Sequence, residues 1–228
     1  MNWLFIIAGG LILICMIKGY KRGSMKALLS LAIMMAAFIL SSTLSPYVEK
    51  TLSSVTPIDE FVKKQYEKTF DCEEANIENC RIDQIRMIEG SDLPDFLKDN
   101  LIANNNYEMY HKLKVHSFKE YVTGYISWIA MKIVSFLILS VILYLIFYSV
   151  LFSFDFIDLI KEPNLLHRGI GTAMGFVSGV ICIWIFFSIL TVIYGTPLGM
   201  AGFQYIEKSR ILIGLYRGNM LLKHLIII

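Results

Sequence analysis

Charge is what this sequence has least of. Asp, Glu, Lys and Arg supply 18% of its 228 residues, against about a quarter in ordinary soluble domains. The scarcity is uneven. Residues 1–17, 27–48, 133–154 and 169–206 contain no charged side chain, and none of the four histidines falls in them. Proton-coupled pumps and intramembrane enzymes need ionisable groups at such places, where they are costly and kept for a purpose. Their absence argues against both classes. The same runs hold no paired aspartates, no Ser–His arrangement and no HExxH motif, and the whole chain lacks a phosphate-binding P-loop. Neither catalysis nor a cofactor nor a metal is expected. Cysteine is sparse too: Cys15 and Cys182 lie in apolar runs, and only Cys72 and Cys80 lie outside them. Two cysteines cannot make a standard zinc site.

What is present is apolar length. Hydrophobic residues make up 56% of the chain, and a spanning helix needs roughly 17–25 apolar residues. The four uncharged runs predict an all-α membrane protein with four transmembrane helices arranged as two hairpins. The expected parts are a first hairpin over 1–48, a helical extracytoplasmic loop over 49–120, a second hairpin over 121–206 and an interfacial amphipathic tail over 207–228. The first run lacks the positive n-region and small-residue cleavage site of a signal peptide, so it is expected to stay as an uncleaved helix with Trp3 at an interface.

The short segment "KGYKRGSMK" carries Lys18, Lys21, Arg22 and Lys26 and no acid. The positive-inside rule places it in the cytoplasm and the N-terminus outside. Gly19 and Gly23 bracket the basic pair and permit a tight reversal. Residues 46–120 then fall outside, in keeping with ten Lys/Arg against fifteen Asp/Glu there. The tail after Ile206, with Lys208, Arg210, Arg217 and Lys223 against Glu207, runs against the rule if it is also outside.

Helix signals punctuate the outer loop. "TPIDEFVKKQYEKTF" offers Thr56 as N-cap and Pro57 at the first helical position. "SDLPDFLKDNLI" offers Leu93, Phe96, Leu97 and Leu101 as one apolar stripe. Such helices pack on each other or on the membrane surface; a substrate lid is the alternative. "FDCEEANIENCR" reads as a polar loop in which Cys72 and Cys80 either close a disulfide or remain free thiols. "ANNN" marks a break before a helix expected to run from Tyr107 into the third span. Gly195 and Pro197 should end the fourth span. From Ser209, Ile211, Leu215, Leu222 and Leu225 recur beside basic residues as an amphipathic stripe.

The fourth run opens with "GIGTAMGFVSG", containing Gly169, Gly171, Gly175 and Gly179. Spacing of four puts the last three on one helix face. Hydrophobicity does not drive helices together in lipid; small residues let backbones approach so that packing and weak Cα–H···O contacts hold them. The face is therefore expected to be a helix-packing seam, with a pore-lining strip as the alternative. The partners expected are the lipid bilayer and either a second copy or other envelope membrane proteins; nucleic acid is not expected.

Three stretches carry a resemblance. "GYKRGSMKALLSL" is similar to a glycine, basic pair, glycine turn leading into a second helix. "PNLLHRGIGTAMGFVSGVI" is similar to an Asn-hydrophobic-Arg-Gly stretch leading into a glycine-spaced last helix. "KSRILIGLYRGNMLL" is similar to a tail in which serine precedes an amphipathic segment. In this order they resemble the colicin V production (CvpA) family of bacterial inner-membrane proteins. The resemblance implies four spans, a role in colicin V production or export, and broader envelope functions. Some relatives carry this module fused to an extracytoplasmic serine protease, which implies that the fourth span ends outside and that a separate protease is a possible partner. It implies no catalytic residues.

Overall fold

The computed structural model describes residues 2–55, 57–67, 81–153 and 164–227. Among these there are ten helices and no strand. Three helices are long and apolar enough to cross a membrane: α1 (Trp3–Val55), α6 (Phe118–Ser153) and α7 (Leu165–Val192). Four short helices, α2 (Ile58–Glu67), α3 (Arg81–Gly90), α4 (Asp95–Ala103) and α5 (Tyr107–Leu113), lie between α1 and α6 in the chain. Three more follow α7: α8 (Pro197–Glu207), α9 (Arg210–Arg217) and α10 (Met220–Ile227).

The basic segment is not a loop. Helical geometry runs through it with one exception: Gly23, at φ 73° and ψ 173°, joins two helices within α1. That backbone region is open to glycine and strained for other residues. Farther along α1, Pro46 lacks the amide proton that would bond the Ser42 carbonyl. The Ser45 hydroxyl donates to that carbonyl at 3.4 Å instead, so the helix continues through the proline.

α1 packs along both other long helices, most extensively on α7, whereas α6 and α7 touch each other little. The core does not stop where the long helices end. Leu4, Phe38 and Phe187 belong to one buried cluster with Tyr66 of α2, Leu97 and Leu101 of α4, Phe203 of α8, Leu212 and Tyr216 of α9 and Leu222 and Leu225 of α10. The short helices therefore cap one end of the bundle and share its core.

Several boundaries differ from the sequence expectation. The helix beginning at Tyr107 does not run into α6. Lys114 takes a left-handed conformation (φ 56°) that ends α5. A capping box then starts α6: the Glu120 carboxylate accepts from the His116 and Ser117 amides, and the Glu120 amide donates to the Ser117 hydroxyl at 3.2 Å. Its S-x-x-E signature is present in "SFKE". α3 was not anticipated. The tail is two helices, broken at Gly218–Asn219; in α9 the buried stripe is shifted by one residue, with Ile211 61% exposed and Leu212 fully buried, whereas Leu222 and Leu225 of α10 are buried as expected. Other boundaries agree. Leu93, Leu97 and Leu101 are buried, the fourth run breaks before Pro197, and Thr196 caps α8 by accepting from the Gly199 amide at 3.1 Å.

Candidate functional site

The glycine face of α7 lies against the first part of α1, backbone to backbone. A Cβ added at Gly171 would collide with the Gly19 carbonyl oxygen and come within 2.9 Å of the Gly23 carbonyl carbon. One turn on, a Cβ at Gly175 would collide with the Cys15 carbonyl oxygen and lie 2.9 Å from the Cα of Met16. At Gly179 it would meet the Cα of Ile12 at 3.0 Å. The reciprocal position behaves alike: a Cβ at Gly19 would strike the Gly171 carbonyl. Residue numbers fall on α1 as they rise on α7, so the two helices run antiparallel. The obstacles are main-chain atoms, which cannot turn aside as a flexible side chain can. Gly169 is different: a Cβ there would meet nothing within 4 Å. It stands outside the seam, at an exposed position on the first turns of α7.

Beside this seam, Lys18, Lys21 and Arg22 are exposed and Lys26 is half-buried. Gly19 and Gly23 do not simply flank a turn. Gly19 is a helical contact residue, and Gly23 alone changes the chain direction. α7 adds His167 and Arg168 at the same end. The Ser24 hydroxyl is 2.8 Å from His167 Nδ1, and the Arg168 guanidinium lies 5.7 Å from the Tyr20 ring centre. A Ser–His hydrogen bond 143 residues apart has no sequence signature. A working nucleophile also needs its base oriented by a third group and donors for the developing oxyanion. Among the described residues no carboxylate bonds His167, and neither residue lines one of the described cavities. The Ser24–His167 contact ties α1 to the start of α7.

The capped end is held differently, by aromatic rings and directed hydrogen bonds. Trp184 of α7 donates from Nε1 to the Leu215 carbonyl at 3.1 Å. Asn219 donates to the Trp184 carbonyl at 3.0 Å and accepts from the Leu221 and Leu222 amides, so one buried side chain docks the tail on α7 and starts α10. Tyr216 packs edge-on against Phe187 and Phe203. Tyr194 donates to the Asp92 carbonyl; burial, with the Asp92 and Glu207 charges adding to it, pushes its phenol up to about 12. Arg217 pairs with Asp95 at 2.8 Å, which puts the basic tail and the acidic loop at the same end of the bundle. Both partners are exposed, so the pair contributes little stability.

A second aromatic row runs Tyr110, Tyr121, Tyr125, Trp128, with successive centroids 4.7, 5.7 and 5.6 Å apart. It ends on two cations: Lys112 and Lys132 lie 4.4 and 4.2 Å from the Trp128 ring centre. Lys132 lines a cavity of about 290 Å³ with Glu49 and Lys112 and donates to the Leu225 carbonyl at 3.3 Å. Cys72 and Cys80 lie outside the described residues. Cys15 and Cys182 are free thiols that line one small cavity beside the seam. Among the described residues no three His, Cys, Asp or Glu side chains converge to hold a metal ion. Of the features that position these groups, sequence reasoning missed the capping box at Ser117 and the docking role of Asn219. Only the first has a readable signature. Comparison of the chain with protein-family models, with curated proteins and with solved structures finds no match.

Proposed function

We propose that the protein is a non-enzymatic, multi-pass membrane scaffold that supports secretion or envelope maintenance, as its resemblance to the colicin V production family implies. The observation that carries this reading is the seam. Its glycines bring main chains of α1 and α7 into contact and leave no room for a ligand or a water file between them. The small-residue face is consumed within the chain, so contacts with a second copy or another envelope protein use other surfaces.

The reading takes the three long helices as four crossings, with α1 folding back at Gly23. As one straight rod α1 would be about 80 Å long, far more than the roughly 30 Å of hydrocarbon it could cross. Two sets of contacts support the fold-back. Asn2 donates to the Tyr205 carbonyl at 2.6 Å, and Glu49 shares a cavity with Trp128, Lys132 and Leu225, so both ends of α1 meet the capped end. Gly23, midway, meets Gly171 at the start of α7. With Lys18 to Lys26 cytoplasmic, the capped end with residues 49–120 faces outward, in a bacterial inner membrane.

The test is labelling of single cysteines, in a background lacking the native four, with a membrane-impermeant maleimide. Lys21→Cys should label only from the cytoplasmic side and Glu108→Cys only from the outside; labelling of both from one side overturns the four-crossing reading. Reconstitution tests the role. Liposomes should show no protein-dependent solute flux, and selective flux would replace the scaffold by a passive pathway. Co-purification of a separate protease from native membranes would favour a regulatory anchor.

A further inference from the structure

Behind the seam, on the side toward α6, lies a cavity of about 140 Å³. Its chemistry is one-sided. Lys18 and Arg22, one helical turn apart on α1, contribute the only charges on its lining among the described residues, and Ser30, Ser178 and Tyr144 contribute hydroxyls. Among the described residues no carboxylate lines it. Lys18 and Arg22 make no ion pair among the described residues, and the Ser30 and Tyr144 hydroxyls make no hydrogen bond there. Two unpaired cations and two uncommitted donors thus converge on one small space. That set matches a phosphate oxyanion, which accepts both charge-assisted and hydroxyl hydrogen bonds.

The wall beside Tyr144 decides what carries the phosphate. Val141, Ile142, Leu145 and Ile146 surround Tyr144 on α6, and all four are exposed. An anion seated here has an apolar, uncovered helix face next to it, suited to acyl chains and not to water. We infer that this cavity is a headgroup site for an acidic phospholipid, with Lys18 and Arg22 on the phosphodiester, Ser30 and Tyr144 donating to it, and the acyl chains along α6. The inference is independent of the scaffold role, since a channel could hold such a lipid equally well.

Native mass spectrometry of the full chain in a neutral detergent tests it, with phosphatidylglycerol and phosphatidylcholine added in turn. Phosphatidylglycerol should bind about tenfold more tightly. The double change Lys18→Gln with Arg22→Gln should abolish the preference. Lys21→Gln with Lys26→Gln, which removes equal charge from residues that do not line the cavity, should retain most of it. Tyr144→Phe should weaken phosphatidylglycerol severalfold without changing net charge, and it carries the test alone should the first double variant fail to fold. Equal binding of the two lipids overturns the site. So does an equal loss in both double variants, which would mean diffuse surface attraction. Displacement of phosphatidylglycerol by equimolar glycerol 3-phosphate would assign the cavity to a soluble anion and overturn the lipid.

Discussion

The two halves of α6 are one continuous helix with opposite surroundings. From Phe118 to Phe136, Tyr121, Val122, Tyr125, Ser127, Ile129, Ile133 and Ser135 are all buried, enclosed by α1 and the short helices. From Ile138 to Val150 most positions are exposed, Ile138, Val141, Ile142, Leu145, Ile146, Tyr148 and Val150 among them. The buried positions of the first half include Tyr121, Thr123, Tyr125, Ser127 and Ser135, whereas the exposed positions of the second half are mostly Ile, Leu and Val. A soluble protein would show the reverse. Where lipid replaces water, apolar surface loses nothing by exposure, and polar groups gain by finding one another inside. The distribution is what a membrane-embedded bundle with one capped, well-packed end should show.

The largest effect should come from the seam that both halves depend on. Gly175→Leu requires the α1 backbone at Cys15 and Met16 to retreat by more than an ångström over a full turn. Overpacking of well-packed cores costs about 1–3 kcal/mol and sometimes more, and here no side chain can yield. Loss of a monodisperse peak in detergent size-exclusion chromatography is expected. Gly169→Leu, off the seam by two residues, should behave as the parent. Equal behaviour of the two variants would remove the seam from the account.

A direct contrast within α6 comes next. Phe136 is buried and packs on Phe38 of α1 at a centroid distance of 5.7 Å. Phe136→Ala should cost about 2–3 kcal/mol, below the 3–5 of a soluble core, because the transfer-from-water term is missing between helices in lipid. Ile146→Ala, at a position with no enclosing partner, should stay within about 0.5 kcal/mol. Thermal unfolding in one detergent measures both. Similar losses would mean that the open half of α6 is covered by something, a second copy included.

Asn219→Ala probes the capped end. It leaves the Trp184 carbonyl and the Leu221 and Leu222 amides without their shared partner, at a cost of about 1–3 kcal/mol. Limited proteolysis should then release α10 while the long helices stay protected. Asn219 also marks where the sequence was hard to read. The long apolar runs, the glycine spacing of four and the break before Pro197 were legible because each follows from local composition or period. The direction of the tail stripe was not. Ile211 and Leu212 are equally apolar, and which one faces inward is set by Ser209, whose hydroxyl caps α9 at the Leu212 amide, and by Asn219 docking on a helix 35 residues earlier. The cavity between Lys18 and Tyr144 was illegible for the same reason. Its members are ordinary alone and acquire meaning only from the way α1 lies against α6 and α7.

The smallest effect separates two kinds of buried serine. Ser188 donates to the Trp184 carbonyl at 2.8 Å and lies 3.4 Å from Asn219 Nδ2, so it belongs to the network at the capped end. Ser135, equally buried, has a hydroxyl with no hydrogen-bond partner. So do Ser41 on α1 and Ser140 on α6. Serines at these places act through their small size, which lets helices approach, and the hydroxyl adds only the cost of an unsatisfied polar group. Ser135→Ala keeps the size and removes the hydroxyl, so it should leave stability unchanged or raise it by up to about 1 kcal/mol. Ser188→Ala should lower stability by about the same amount, because it breaks a made bond. The sign of the difference is the informative quantity, since both changes remove one oxygen from a buried position. A loss at Ser135 as large as that at Ser188 would mean that its hydroxyl does find a partner in the membrane, and that the interface of α1 with α6 is held by polar contacts like those of the capped end.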